Sequence, residues 1–144
     1  MHGVADAVLG EEDVDIAQEL RQALADRLQD ERLPEVWVLE LSSFQLATTA
    51  TLACDAGAVL NLSEDHLDWH ESMAQYAQAK QRLLAPGTLA VLNRGDPLVM
   101  SLAPRGARVV TFGADAPQRA GEAGLVHDRD IDWLALAEEP FEEP

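Results

Sequence analysis

The sequence predicts an α/β fold, a mainly parallel sheet flanked by helices. Short, continuous apolar runs recur along the chain, the pattern of strands buried on both faces, and helical patterns separate them. Strands alternating with helices in this way argue for βαβ units. The totals agree: 144 residues, 47% hydrophobic and 25% charged, describe one ordinary globular domain with a core of its own.

The elements follow in order. Residues 1–12 carry no assignable pattern, and one domain is expected over 13–137. From residue 13 to 29, Ile16, Leu20, Leu24 and Leu28 recur every four positions with Ala17 and Ala23 beside them, an amphipathic helix. After Pro34, Val36, Trp37, Val38 and Leu39 form an apolar run that predicts a buried strand ending at Glu40. Residues 43–52 and 72–84 are the clearer linking helices, with a shorter one at 96–102 after the turn Asn93-Arg94-Gly95. The remaining strands are expected at 58–61, 89–93 and 108–112. A loop rich in Ala, Gly and Pro occupies 113–124, and residues 125–127 and 131–133 predict a small C-terminal hairpin. The acidic, proline-bearing tail 138–144 is expected to lie outside the folded unit.

The charge balance excludes some functions. Against 26 acidic residues stand 10 basic ones, a net charge of −16 that repels a phosphate backbone, so nucleic acid is not an expected partner. The single cysteine, Cys54, cannot form an internal disulfide. No apolar run approaches the roughly 20 residues that span a bilayer, and the N-terminus lacks the features of a signal peptide. A cytoplasmic protein without membrane contact is the expectation.

Ligands of open α/β sheets bind beyond the carboxyl ends of the strands, so the residues that follow the apolar runs are the first to inspect. Glu40-Leu41-Ser42-Ser43-Phe44-Gln45 follows one run, and Asn61-Leu62-Ser63-Glu64-Asp65-His66-Leu67-Asp68 follows the next. A carboxylate that continues a buried apolar run, as Glu40 does, must be neutral, paired or metal-bound. His66 with Glu64, Asp65 and Asp68 reads singly as a capped or solvated acidic turn; combined with Glu40, it offers oxygen ligands and one imidazole, a set suited to Mg²⁺ or Mn²⁺. Ser42 and Gln45 match a capping box, an ordinary structural device. Lys80 lies within the apolar stripe of Met73, Tyr76, Ala77, Leu83 and Leu84, where a lysine either snorkels to solvent, pairs with a carboxylate or is directed at a site.

Taken together, Leu39-Glu40-Leu41-Ser42-Ser43-Phe44-Gln45-Leu46, Leu60-Asn61-Leu62-Ser63-Glu64-Asp65-His66-Leu67-Asp68 and Tyr76-Ala77-Gln78-Ala79-Lys80 resemble, in order and spacing, the central domain of the Mur ligases. The resemblance is closest over residues 36–112, with a weaker continuation towards residue 138, and the Ser-Ser-Phe-Gln-Leu run is most similar to the D-glutamate-adding branch. It implies a partial, Rossmann-like central domain and an ATP-dependent, amide-forming ligase of peptidoglycan precursor synthesis that acts through an acyl phosphate. The intact enzyme would take UDP-N-acetylmuramoyl-L-alanine, ATP and D-glutamate. By position, Glu40, His66 and Lys80 would hold Mg²⁺ or Mn²⁺. Lys80 would be carbamylated, and Ser42, Gln45 and His66 would line the substrate.

The pattern also departs from the family. No Gly-Lys-Thr phosphate loop occurs in the 144 residues, and Gly10-Glu11-Glu12 stands where the family has Gly-Asn. The chain is therefore expected not to complete the reaction alone, and to self-associate through a sheet edge that the intact domain would cover. Two other readings stay open at this point: a non-catalytic α/β binding or structural module, and an unrelated metal-dependent hydrolase using Asp65-His66 and Asp68-Trp69-His70.

Overall fold

The computed structural model describes residue 22, residues 24–63, residue 70 and residues 72–138. Five strands form one sheet in sequential order: β1 (Ala56–Val59), β2 (Leu89–Asn93), β3 (Val109–Phe112), β4 (Glu122–Asp128) and β5 (Ile131–Leu136). The first three pairings are parallel and the last is antiparallel, so the expected mainly parallel sheet and C-terminal hairpin are both present. Helices α1 (Ser43–Ala47), α2 (Met73–Gln81) and α3 (Pro97–Ser101) accompany them. Of the amphipathic helix expected at 13–29, the described part is helical at residue 22 and through 24–27, and the rest lies outside the described residues.

Helix α2 crosses from β1 to β2 and α3 from β2 to β3, as parallel neighbours require. The core forms where these layers meet: Val59, Leu62, Tyr76, Leu84, Ala90, Leu92, Val99 and Leu102. Gly57 explains how closely β1 approaches the end of α2, since a Cβ there would stand 2.8 Å from Leu83 Cγ and 2.9 Å from the Leu83 carbonyl oxygen. In the β4–β5 hairpin, Arg129 and Asp130 both adopt positive φ, 49° and 60°, the twist-compatible geometry of a two-residue turn.

Two expectations are corrected. Residues 36–39 form no strand, and Val36 and Val38 are 74% and 92% exposed. An apolar run becomes a buried strand only when neighbours take its backbone groups and cover its faces. Among the described strands, β1 pairs only with β2. The helix expected at 43–52 stops at Ala47. There Thr48 Oγ1 donates to the carbonyls of Phe44 (3.3 Å) and Gln45 (3.1 Å), and Thr49 Oγ1 donates to Gln45 (2.6 Å), local bonds that compete with continued helix. Arg82, just past α2, donates to the Leu46 and Ala47 carbonyls and closes the same end.

Candidate functional site

Helix α1 starts at the Ser42 cap, and the capping box is complete. The Gln45 N–H donates to Ser42 Oγ at 3.2 Å, and the Ser42 N–H donates to Gln45 Oε1 at 2.8 Å. This satisfies two N–H groups of the first turn and fixes the backbone that carries Glu40 and Leu41. Glu40 itself is exposed, which removes the premise that its carboxylate is buried.

Lys80 is in the last turn of α2, half-buried, where its Nζ donates to the Leu41 carbonyl at 3.3 Å and stands 5.9 Å from the centroid of the Tyr76 ring. Burial holds its amine below the usual lysine range, against the opposing pull of the Glu40 carboxylate. The structure thus brings Glu40 and Lys80 into electrostatic contact, with Ser42 and Gln45 on the adjoining helix start. His66, Glu64, Asp65 and Asp68 lie outside the described residues.

His70 has a structural place that its sequence context did not reveal. Its ring is 2% exposed, its Nε2 is 2.9 Å from Ser43 Oγ, and it stacks on Phe44 (5.7 Å between centroids, 4° between planes) and tilts against Tyr76 (5.2 Å, 45°). It joins α1 to α2 through Ser43, Phe44 and Tyr76. Engaged in this way, it does not favour the hydrolase reading that used it as a metal ligand. A histidine two residues before a helix cap carries no pattern that separates a packed ring from a ligand, so spacing alone could not have found this role.

The turn after β2 was also read only as a turn. Asn93 Nδ2 donates to the Leu60 carbonyl at 2.9 Å, and the Asp96 carboxylate accepts the Leu62 N–H at 2.9 Å. Arg94 Nη1 donates to the Ala123 carbonyl at 2.6 Å and Nη2 pairs with Asp115 at 2.8 Å, tying the end of β2 to the start of β4 and to the loop before it. Polar side chains at the carboxyl end of β2 therefore bind the backbone that leaves β1 and the start of β4.

A mainly parallel sheet in sequential order, with helices crossing between its strands, defines an α/β domain. The Mur ligase middle domain model matches residues 9–134, and the chain belongs to this family. The matched stretch begins well upstream of the first motif at Leu39. The relatives narrow the branch. UDP-N-acetylmuramoylalanine–D-glutamate ligase of Bordetella parapertussis is 50% identical over 125 residues, covering 85% of this chain and 25% of that protein. The proteins of the same name from Cupriavidus metallidurans and Ralstonia nicotianae are 55% and 56% identical, each over 74% of this chain and over 22% and 21% of their own lengths. The chain spans about a quarter of the length of the curated relatives it matches. Neither the module nor the hydrolase reading is favoured beside this family membership. No helix among the described residues is long and apolar enough to cross a membrane.

Proposed function

We propose that the chain contributes the metal-handling part of a cytoplasmic, ATP-dependent ligase that joins D-glutamate to UDP-N-acetylmuramoyl-L-alanine. The observation that carries this reading is Lys80: a half-buried amine, held below its ordinary pKa by burial, beside Glu40. A lysine amine attacks CO₂ in its neutral form, the form that burial favours. The amine nitrogen forms a bond to the CO₂ carbon and loses a proton, leaving a carbamate anion in place of a cation. That change converts an ill-placed positive charge into an oxygen ligand beside Glu40, so the residues present fit a hard divalent cation.

Glu40, His66 and carbamylated Lys80 would hold Mg²⁺ or Mn²⁺, which when bound spreads the negative charge of phosphoryl groups. Ser42, Gln45 and His66 would face the UDP-muramoyl substrate. The capping box keeps Ser42 and Gln45 in fixed relation to each other, so a substrate would meet a preorganised surface. In the complete reaction ATP phosphorylates the substrate carboxylate, and the D-glutamate amine displaces phosphate to form the amide. No Gly-Lys-Thr loop occurs in the 144 residues, so the cradle for ATP phosphates has to come from outside them, and turnover by this chain alone is not expected.

The test is ¹³C-bicarbonate NMR with Mn²⁺ titration. A carbamate resonance that Lys80→Met abolishes, and Mn²⁺ binding that Glu40→Ala and His66→Ala each weaken, are the expected results. A chain that forms no carbamate and binds no metal refutes the reading. Phosphate release dependent on ATP and D-glutamate by this chain alone would refute its incapacity.

A further inference from the structure

Resting on that reading of Glu40 and Lys80, we propose that His70 is a positioning residue for the pair: by tying the start of α1 to α2, it fixes where the Leu41 carbonyl meets the Lys80 amine. The contacts close a ring. His70 Nε2 is 2.9 Å from Ser43 Oγ and its ring stacks on Phe44, so it is bound to α1 by a hydrogen bond and by packing. It also meets Tyr76 of α2, at 5.2 Å between centroids. Tyr76 and Lys80 are four positions apart on that helix, the spacing that puts two side chains on one face, and Lys80 Nζ stands 5.9 Å from the Tyr76 ring. Lys80 then donates to the Leu41 carbonyl, two residues before Ser43. Glu40, whose carboxylate acts on the same amine, is the residue before Leu41.

The other hydrogen bonds at these helices do not set this geometry. Arg82 reaches the Leu46, Ala47 and Thr49 carbonyls, but all three bonds leave one nitrogen, Nη1, and all fall at or beyond the last turn of α1. A helix of five residues is about 7 Å long, and one held at a single point can swing its far end. Lys80 itself is a weak tie. Its bond of 3.3 Å is longer than the roughly 2.9–3.0 Å usual for N–H···O, and its four-carbon stem is flexible. The amine must also stay available to react. Both bonds of the capping box run between α1 and its own cap, so they do not reach α2. His70 is buried, has a rigid ring and is bonded to the first residue of α1, and it supplies the second fixed point.

Lys80 is the only lysine in the sequence, so ¹³C-lysine labelling of the full chain gives one set of side-chain signals to read. Without metal or CO₂, its two ε-protons should be inequivalent in the wild type, as in an ordered stem beside an aromatic ring. Ser43→Ala and His70→Phe remove the same bond from opposite sides, and the second keeps an aromatic ring. Each should merge the two ε-proton signals. With Mg²⁺ and ¹³C-bicarbonate, each should lower the carbamate signal about threefold or more, the scale of one ordinary hydrogen bond. The Ser43→Ala/His70→Phe variant strands no polar group and should be no less stable than His70→Phe, yet its ε-proton signals should stay merged; in a merely structural role they would follow stability. Thr88→Val is the control. Buried Thr88 Oγ1 donates to the Cys54 carbonyl at 2.8 Å, at the amino end of β2, and its loss should lower stability and leave the Lys80 signals as they are.

Wild-type ε-protons that are already equivalent, or signals unmoved in both single variants, would overturn the proposal; Ser43→Ala alone decides if His70→Phe does not fold. So would ε-proton signals that recover in the double variant, or a Thr88→Val chain that frees Lys80 as far as Ser43→Ala does, because the bond would then support only general stability. A carbamate signal undiminished in variants whose Lys80 stem is freed would overturn it as well. If the variants free the stem while the wild-type chain forms no carbamate with Mg²⁺, the positioning role stands and the metal reading falls.

Discussion

Replacing His70 by phenylalanine tests the junction between α1 and α2. Phenylalanine retains the ring that stacks on Phe44 and contacts Tyr76, but it has no nitrogen for Ser43 Oγ, now 2.9 Å from His70 Nε2. Ser43 is 2% exposed, so its hydroxyl would lose this partner where water does not reach it. A stranded buried polar group costs about 1–3 kcal/mol. His70→Ala adds the lost ring contacts, about 0.5–1.5 kcal/mol per aromatic pair, for a total of about 3 kcal/mol or more. That is a large share of the roughly 5–15 kcal/mol by which a domain of this kind is stable. Removing both hydrogen-bonding partners is nearly neutral by comparison. The Ser43→Ala/His70→Phe double variant should therefore be no less stable than His70→Phe alone. Urea unfolding of the four proteins gives the coupling energy directly. If the two single losses simply add, or if His70→Phe is as stable as wild type, the Ser43–His70 bond is not what holds the junction.

Other expected outcomes follow from the same geometry. The Lys80 pKa is lowered by burial, so between that lowered value and the ordinary 10.5 the unfolded chain binds the extra proton, and stability rises with pH. In CO₂-free buffer Lys80→Met should then be more stable than wild type at neutral pH, with an advantage that shrinks as pH approaches the ordinary lysine range; an advantage independent of pH refutes this. Gly57→Ala forces a methyl against the Leu83 carbonyl, which cannot move without shifting the end of α2, and should cost about 1–3 kcal/mol in thermal or urea unfolding. A neutral effect would show that β1 and α2 separate freely. Among the described strands β1 bounds the sheet, so light scattering should detect concentration-dependent self-association, and a strictly monomeric chain at high concentration would count against an adhesive edge.

What the sequence determined by itself was local. Period and punctuation placed β2, β3 and α2, because Leu89 to Leu92 is an unbroken apolar run closed by Asn93, and Ser72 is a strong cap. The Ser42–Gln45 capping box was equally legible, since both its bonds fall within one helical turn. Residues 36–39 were misread for the converse reason: an apolar run specifies that it can be buried, and only neighbouring strands decide that it is. Tertiary structure alone decided which polar side chains work across the fold. Lys80 meets the Leu41 carbonyl, His70 meets Ser43 and Asp96 meets the Leu62 N–H only because α1, α2 and the two strand ends converge, a matter of chain path that no short spacing encodes.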